Sequence, residues 1–148
     1  MLSPMRAHWV DIERDFSAPV DQVFGYLAEH ENLEKLFGAK VKRVRDGEDG
    51  ERNGVGSCRE MRVAPVIPSF DETVTKFVPN QLIEYKITRG TPIDGHVGTM
   101  EFSPNASGGT HFHYKIRFAS KIPGVAALVS KAVGSNIQKG LKNVPGGS

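Results

Sequence analysis

Two histidines stand two residues apart in the run Gly109-Thr110-His111-Phe112-His113-Tyr114-Lys115-Ile116-Arg117-Phe118. Residues two apart on a strand point the same way, so His111 and His113 have the spacing to share a metal ion. Their neighbours decide against it. Phe112, Tyr114, Ile116 and Phe118 take the opposite face, and four large apolar groups in a row belong to a core or a deep pocket. The histidines then face water with Lys115 and Arg117, and no metal site is expected. Cys58 is the only cysteine. It permits neither an internal disulfide nor a cysteine-based zinc site, and it reads as a small buried hydrophobe. Gly54-Val55-Gly56 is half of a dinucleotide fingerprint, but it opens a strand rather than a helix and reads as a hairpin turn. Gly-x-Ser-x-Gly and a Ser-His-Asp set are both missing, and no cofactor is expected.

The elements that must position any site follow from periodicity. Residues 9–16 read as a strand with Val10, Ile12 and Phe16 on one face. Ser17-Ala18-Pro19 then starts a helix, with Pro19 at its first position and Val20, Val23, Phe24 and Leu27 at helical spacing. A second, short helix carries Leu33, Leu36 and Phe37. Strands follow over 40–45, 55–64, 69–78, 81–89, 96–102 and 111–119, separated by turn signals such as Asp46-Gly47 and Pro79-Asn80. Pro65 and Pro68 bracket a loop. After Pro123-Gly124 comes a helix over about 125–144. Val129, Val133, Ile137, Gly140 and Val144 share its apolar side, and Lys131, Lys139 and Lys142 lie opposite. Asn136 sits toward the apolar side, where an amide must find water, backbone or a ligand. Consecutive antiparallel strands with helices only near the ends give an α+β fold.

The length of 148 residues suits one domain, 1–148, with its core over about 9–144. No apolar run approaches the roughly 20 residues of a membrane span, and residues 1–8 lack the apolar core of a signal peptide. A cytoplasmic protein is the expectation. The net charge of +2 is unevenly spread. All 17 acids lie at or before Glu101, and Lys115, Arg117, Lys121, Lys131, Lys139 and Lys142 follow. This is either a solvated basic surface or a face that makes weak contact with an anionic membrane or an acidic partner. Basic residues are not interleaved with exposed aromatics, so nucleic acid is not expected. The sequence leaves monomer and homodimer open.

Several segments carry a family resemblance. Phe16-Ser17-Ala18-Pro19-Val20-Asp21-Gln22-Val23-Phe24, then Glu72 after the proline loop, Pro79-Asn80-Gln81-Leu82-Ile83-Glu84-Tyr85 and Gly108-Gly109-Thr110 resemble the START-like superfamily (SRPBCC, Bet v 1-like). Within it the nearest group is the polyketide cyclase/dehydrase and lipid-transport family. The resemblance covers most of the chain. It implies a helix-grip fold: a seven-stranded antiparallel sheet curved around a long C-terminal helix, with two short helices between strands 1 and 2. A cavity of roughly 300–1,000 Å³, the usual range for small ligands, is expected between sheet and helix.

By the same resemblance Arg59, Met61 and Val63 face inward, residues 65–69 form a gate, and Glu72 is an inward carboxylate. Tyr85, Ile87, His96, Gly98, Met100 and Phe102 match pocket-wall positions, and Asn136 matches a helix asparagine at the pocket end. Strand parity adds Phe112 and Tyr114, and the last helix adds Val129 and Ala132. His96 and Gly98 stand where the abscisic acid receptors of this fold carry tyrosine and serine, which argues against abscisic acid as ligand. The polar set is Arg59, Glu72, Tyr85, His96, Tyr114 and Asn136. It reads as a structural ion pair of Arg59 with Glu72 or as the orienting end of an apolar site. The leading functional expectation is binding or transport of a small hydrophobic ligand such as a lipid, isoprenoid, quinone or aromatic polyketide-like metabolite. The alternatives are a cyclase or dehydrase using Glu72 and His96 as acid and base, and an interaction module with a filled pocket.

Overall fold

A computed structural model describes residues 6–63, 65, 68–90 and 93–147. β1 (His8–Phe16) leads into α1 (Val20–Ala28), a 3-10 turn (His30–Asn32) and α2 (Leu33–Phe37). Six strands follow: β2 (Lys40–Arg45), β3 (Cys58–Arg62), β4 (Phe70–Val78), β5 (Leu82–Arg89), β6 (Asp94–Pro104) and β7 (Thr110–Ala119). The chain closes with α3 (Val125–Gly140) and a 3-10 turn (Leu141–Asn143). This is the expected α+β order, with antiparallel pairing throughout in the sequence β1-β7-β6-β5-β4-β3-β2.

Local chemistry explains most departures from the expected boundaries. Pro19 is not the first helical residue. It stays extended at φ −62° and ψ 157°, and its carbonyl accepts from the amides of Gln22 and Val23. Pro19 thus opens the helix from outside. The third strand is shorter than 55–64, because residues 47–57 close on themselves through turn bonds such as Gly47 N to Arg52 O. Ala64 lies outside the described residues.

The core fills the concave face of the sheet. In β7 the side chains of Phe112, Tyr114, Ile116 and Phe118 are buried in strict alternation with half-exposed His111, His113, Lys115 and Arg117. Val23, Phe24 and Leu27 of α1, and Leu33 and Leu36 of α2, join them. Burying each such side chain contributes on the order of 1.5–3 kcal/mol. α3 packs chiefly on β1, β7 and α2. Gly140 makes the last contact possible, since a Cβ there would run into the backbone of Leu36. Antiparallel pairing also brings the start of β1, the ends of β3, β5 and β7, and the starts of β4 and β6 to one end of the sheet. Here β7 hands over to α3. Among the described residues no helix is long and apolar enough to cross a membrane.

Candidate functional site

The sheet register assembles the polar set strand by strand. Arg59 of β3 pairs with Glu72 of β4, Glu72 with Ile87 of β5, and Tyr85 of β5 with Gly98 of β6. On β6, Met100 pairs with Tyr114 of β7. The β5–β6 ladder stops at Tyr85 and Gly98, and β6 is irregular between Asp94 and Val97. Beyond that point the amide of Ile87 lacks a strand partner. The ring of His96 takes the role, with Nδ1 accepting from Ile87 N at 3.1 Å.

Around Glu72 the geometry is closed. Arg59 Nε donates to Glu72 Oε1 at 2.9 Å. Arg59 Nη2 lies 2.8 Å from the same oxygen, off the hydrogen-bond direction. Glu72 Oε2 is 3.7 Å from His96 Nε2. The guanidinium carbon of Arg59 stands 4.6 Å from the centre of the Tyr85 ring, a cation–π contact. The Tyr85 and Tyr114 hydroxyls hydrogen-bond to each other. Arg59, Glu72 and His96 are 2 %, 5 % and 6 % exposed. Gly98 makes this packing possible, because a Cβ there would collide with the Tyr85 ring.

Burial sets the proton affinities. It pushes the imidazolium of His96 down, against the pull of the Glu72 carboxylate and with the help of Arg59. His96 is therefore neutral. Since Nδ1 accepts from Ile87, the proton sits on Nε2 and points toward Glu72. Neither ring nitrogen has a free lone pair, so His96 as placed cannot take a proton from a substrate. Burial first, then the neighbouring tyrosine or carboxylate charges, hold Tyr85 and Tyr114 well above the usual phenol range. Both remain neutral donors and acceptors.

One buried pair was not visible in the sequence. His30, in the turn after α1, is fully buried, and its Nε2 lies 3.0 Å from Ser57 Oγ. Ser57 Oγ donates to the carbonyl of Gly54 at 2.7 Å. Its hydrogen is thus committed, and it must accept from His30 Nε2–H. His30 Nδ1 is left buried without a protein partner. Burial, then the charges of Arg59 and Arg43, lower the His30 pKa to about 3. No periodicity or motif signals such a pair, because the partners are 27 residues apart.

Several expected lining residues are less buried than the polar set. Val63 is 46 % exposed, one residue past the end of β3 at Arg62. Ala132 and Asn136 are exposed, because α3 leans toward β1 and β7 and turns this flank outward. Asn136 lies beside Gly38, apart from the Arg59–Glu72 set. Ile87 and Val129 are half-buried. Met61, Tyr85, Met100, Phe112 and Tyr114 are at most 2 % exposed and Phe102 is 5 % exposed, so these six side chains belong to the packed core. Part of the gate expected over 65–69 lies outside the described residues.

Two recesses dent the outside. One, of ≈ 390 Å³, is lined by residues including Gln81, Glu101, His111 and His113. The other, of ≈ 250 Å³, runs between β1 and α3 past Trp9, Lys131 and Gly134. His111 and His113 face outward, His113 Nε2 at 2.6 Å from Asp11 and His111 Nδ1 at 3.2 Å from Asp15. Among the described residues no three His, Cys, Asp or Glu side chains are grouped to hold a metal.

The decisive likeness covers residues 7–145, which match the family described as polyketide cyclase / dehydrase and lipid transport. The chain belongs to this family. Solved structures share its fold at low sequence identity. TTHA0849 from Thermus thermophilus superposes with a TM-score of 0.70 at 19% identity, over 91% of this chain and 92% of that one. An aromatase/cyclase from Streptomyces gives 0.67 at 14%, over 91% and 87%. Truncated norcoclaurine synthase from Thalictrum flavum gives 0.64 at 14%, over 94% and 96%. No curated protein matches the chain. The family's description joins lipid transport to cyclase and dehydrase chemistry, both of which handle largely apolar molecules.

Proposed function

We propose that the protein binds a small, largely apolar molecule between α3 and the β3–β5 half of the sheet, and carries it rather than transforming it. One observation carries this reading: the ion-paired Arg59–Glu72 set, closed by His96 and Tyr85, lies beside a largely apolar core. A buried ion pair is a poor source of stability compared with apolar side chains of the same volume. Its use is to orient a polar group at the end of an apolar site. The walls nearer the surface would be Val63, Ile87, Val129 and Ala132, apolar side chains that are half-buried or exposed. Admission of a ligand past the Tyr85 and Met100 side chains requires them to change rotamer, because both are buried. A lipid, isoprenoid, quinone or aromatic metabolite with one polar end fits this chemistry.

Acid–base catalysis gains less support. His96 Nδ1, the only ring nitrogen with a lone pair, is engaged by the Ile87 amide, and Glu72 Oε1 is held by Arg59. Native mass spectrometry of the protein purified from cells tests the proposal. A copurified apolar molecule, lost on organic extraction and regained on adding the extract back, is the expected result. A bare chain that takes up nothing from a cell lipid extract would overturn the carrier reading in favour of an interaction module with a filled pocket.

A further inference from the structure

Among the described residues seven large apolar side chains are exposed, and four of them lie along the end of the sheet where β7 hands over to α3. They are Trp9 at 57 %, Val63 at 46 %, Ile122 at 52 % and Leu128 at 71 %. Trp9 lies opposite Arg117 in the β1–β7 register and lines a recess with Lys131 of α3. Leu128 precedes Lys131 by three residues, on the same side of the helix. Ile122 projects from the loop before α3 beside exposed Lys121.

We infer that this end is a docking surface for an anionic lipid bilayer, with Trp9, Ile122 and Leu128 entering the headgroup region between Lys121, Lys131 and Arg117. The surface suits a fluid partner. Its apolar groups come from a strand, a loop and a helix, and cations stand between them, so they form no flat patch for a rigid protein to cover. A bilayer takes such scattered side chains singly. Tryptophan favours the interface, and lysine stems reach past apolar neighbours to phosphate.

Charge points the same way. No carboxylate side chain follows Glu101 in the chain. The nearest acid on β1, Asp11, is engaged by His113 at 2.6 Å. Glu60 and Asp71, which belong to strands ending here, are both paired with Arg89. Asp94, at the start of β6, is the remaining acid of this end. Lys139 and Lys142 sit at the far end of α3, near α2, and take no part. The docking does not depend on what the interior binds.

Trp9 is the only tryptophan, so its emission reports on this surface alone. The full chain, without added ligand, is titrated with vesicles of pure phosphatidylcholine and of phosphatidylcholine with about a third phosphatidylglycerol. The expected result is a blue shift and co-sedimentation with the anionic vesicles, reversed by salt. Leu128→Gln with Ile122→Ser should weaken vesicle binding at least several-fold while circular dichroism stays unchanged. Lys121→Gln with Lys131→Gln should remove the preference for anionic lipid, and Lys139→Gln with Lys142→Gln should leave it. Unchanged Trp9 emission with both vesicle types overturns the inference. So does binding that survives the Leu128 and Ile122 changes but is lost with Lys139 and Lys142.

Discussion

Arg59 and Glu72 face each other across β3 and β4, and two guanidinium nitrogens, Nε at 2.9 Å and Nη2 at 2.8 Å, stand against one carboxylate oxygen, to which Nε donates. The other oxygen is turned to His96. Removing one partner leaves the other charge buried and alone. Glu72→Gln should therefore destabilise the protein by about 3–5 kcal/mol. Replacing both, as Arg59→Met with Glu72→Leu, should recover most of that loss. Urea denaturation of the two variants gives the comparison. If the polar set orients a ligand, the stable double variant should still fail to retain the molecule that copurifies with the wild type.

Acid should destabilise the fold well above the carboxylate range. His30 titrates near 6.5 when unfolded and at about 3 when folded, so between those values the unfolded chain binds more protons. Its contribution is intact above 6.5 and is lost as pH falls toward 3, at up to about 1.4 kcal/mol per pH unit. His96 is lowered in the same direction. Glu31, whose pKa is held at about 2 mainly by the hydrogen bond from Arg43, acts only below its unfolded value of 4.5. The window between 6.5 and about 5 thus belongs to the histidines. His30→Gln keeps a donor for Ser57 and removes the titration. Its unfolding free energy should fall less steeply than the wild type's across that window.

The Tyr85–Tyr114 hydroxyl pair makes an asymmetric prediction. Tyr114→Phe alone leaves the buried Tyr85 hydroxyl without this partner and should cost about 1–3 kcal/mol. Tyr85→Phe with Tyr114→Phe should cost less than either single change. Thermal unfolding of the three variants would show it. A double variant worse than the sum of the singles would mean that another group depends on the hydroxyls.

Gly98→Ala should be destabilising although it adds a single methyl group. The new Cβ meets the Tyr85 ring, which is held by Arg59 on its face and Tyr114 at its hydroxyl. Overpacking of this kind costs about 1–3 kcal/mol. The change in denaturation midpoint measures it, and an unchanged midpoint would show that the ring has room to move.

Legibility differed from residue to residue. The faces of β7 were plain, because Phe112, Tyr114, Ile116 and Phe118 alternate with four polar residues and only one register buries them. The joining of Arg59, Glu72, Tyr85 and His96 was legible through the family pattern. Asn136 was misplaced for a physical reason. A helical wheel tells which side is apolar, but not whether the helix lies centrally or leans to one edge of the sheet. The lean of α3 toward β1 and β7 turned Asn136 and Ala132 out. The depth of Tyr85 and Met100 in the core was equally hidden. Strand parity shows that Tyr85 and Met100 point inward, and says nothing of how far they reach.

The pairing of the first strand with the seventh has a consequence for how the chain acquires its shape. His8 meets Phe118, and Phe16 meets Thr110, so β1 has no partner until nearly all of the chain has been made. On the ribosome, strands β2 to β6 can pair in order, each with the strand before it, while β1 waits, its alternating apolar face uncovered. Closing so long a loop carries an entropic penalty that only the joint arrival of β7 and α3 offsets. Fragments that stop before Ala119 should therefore be prone to aggregate through β1, however complete the middle of their sheet.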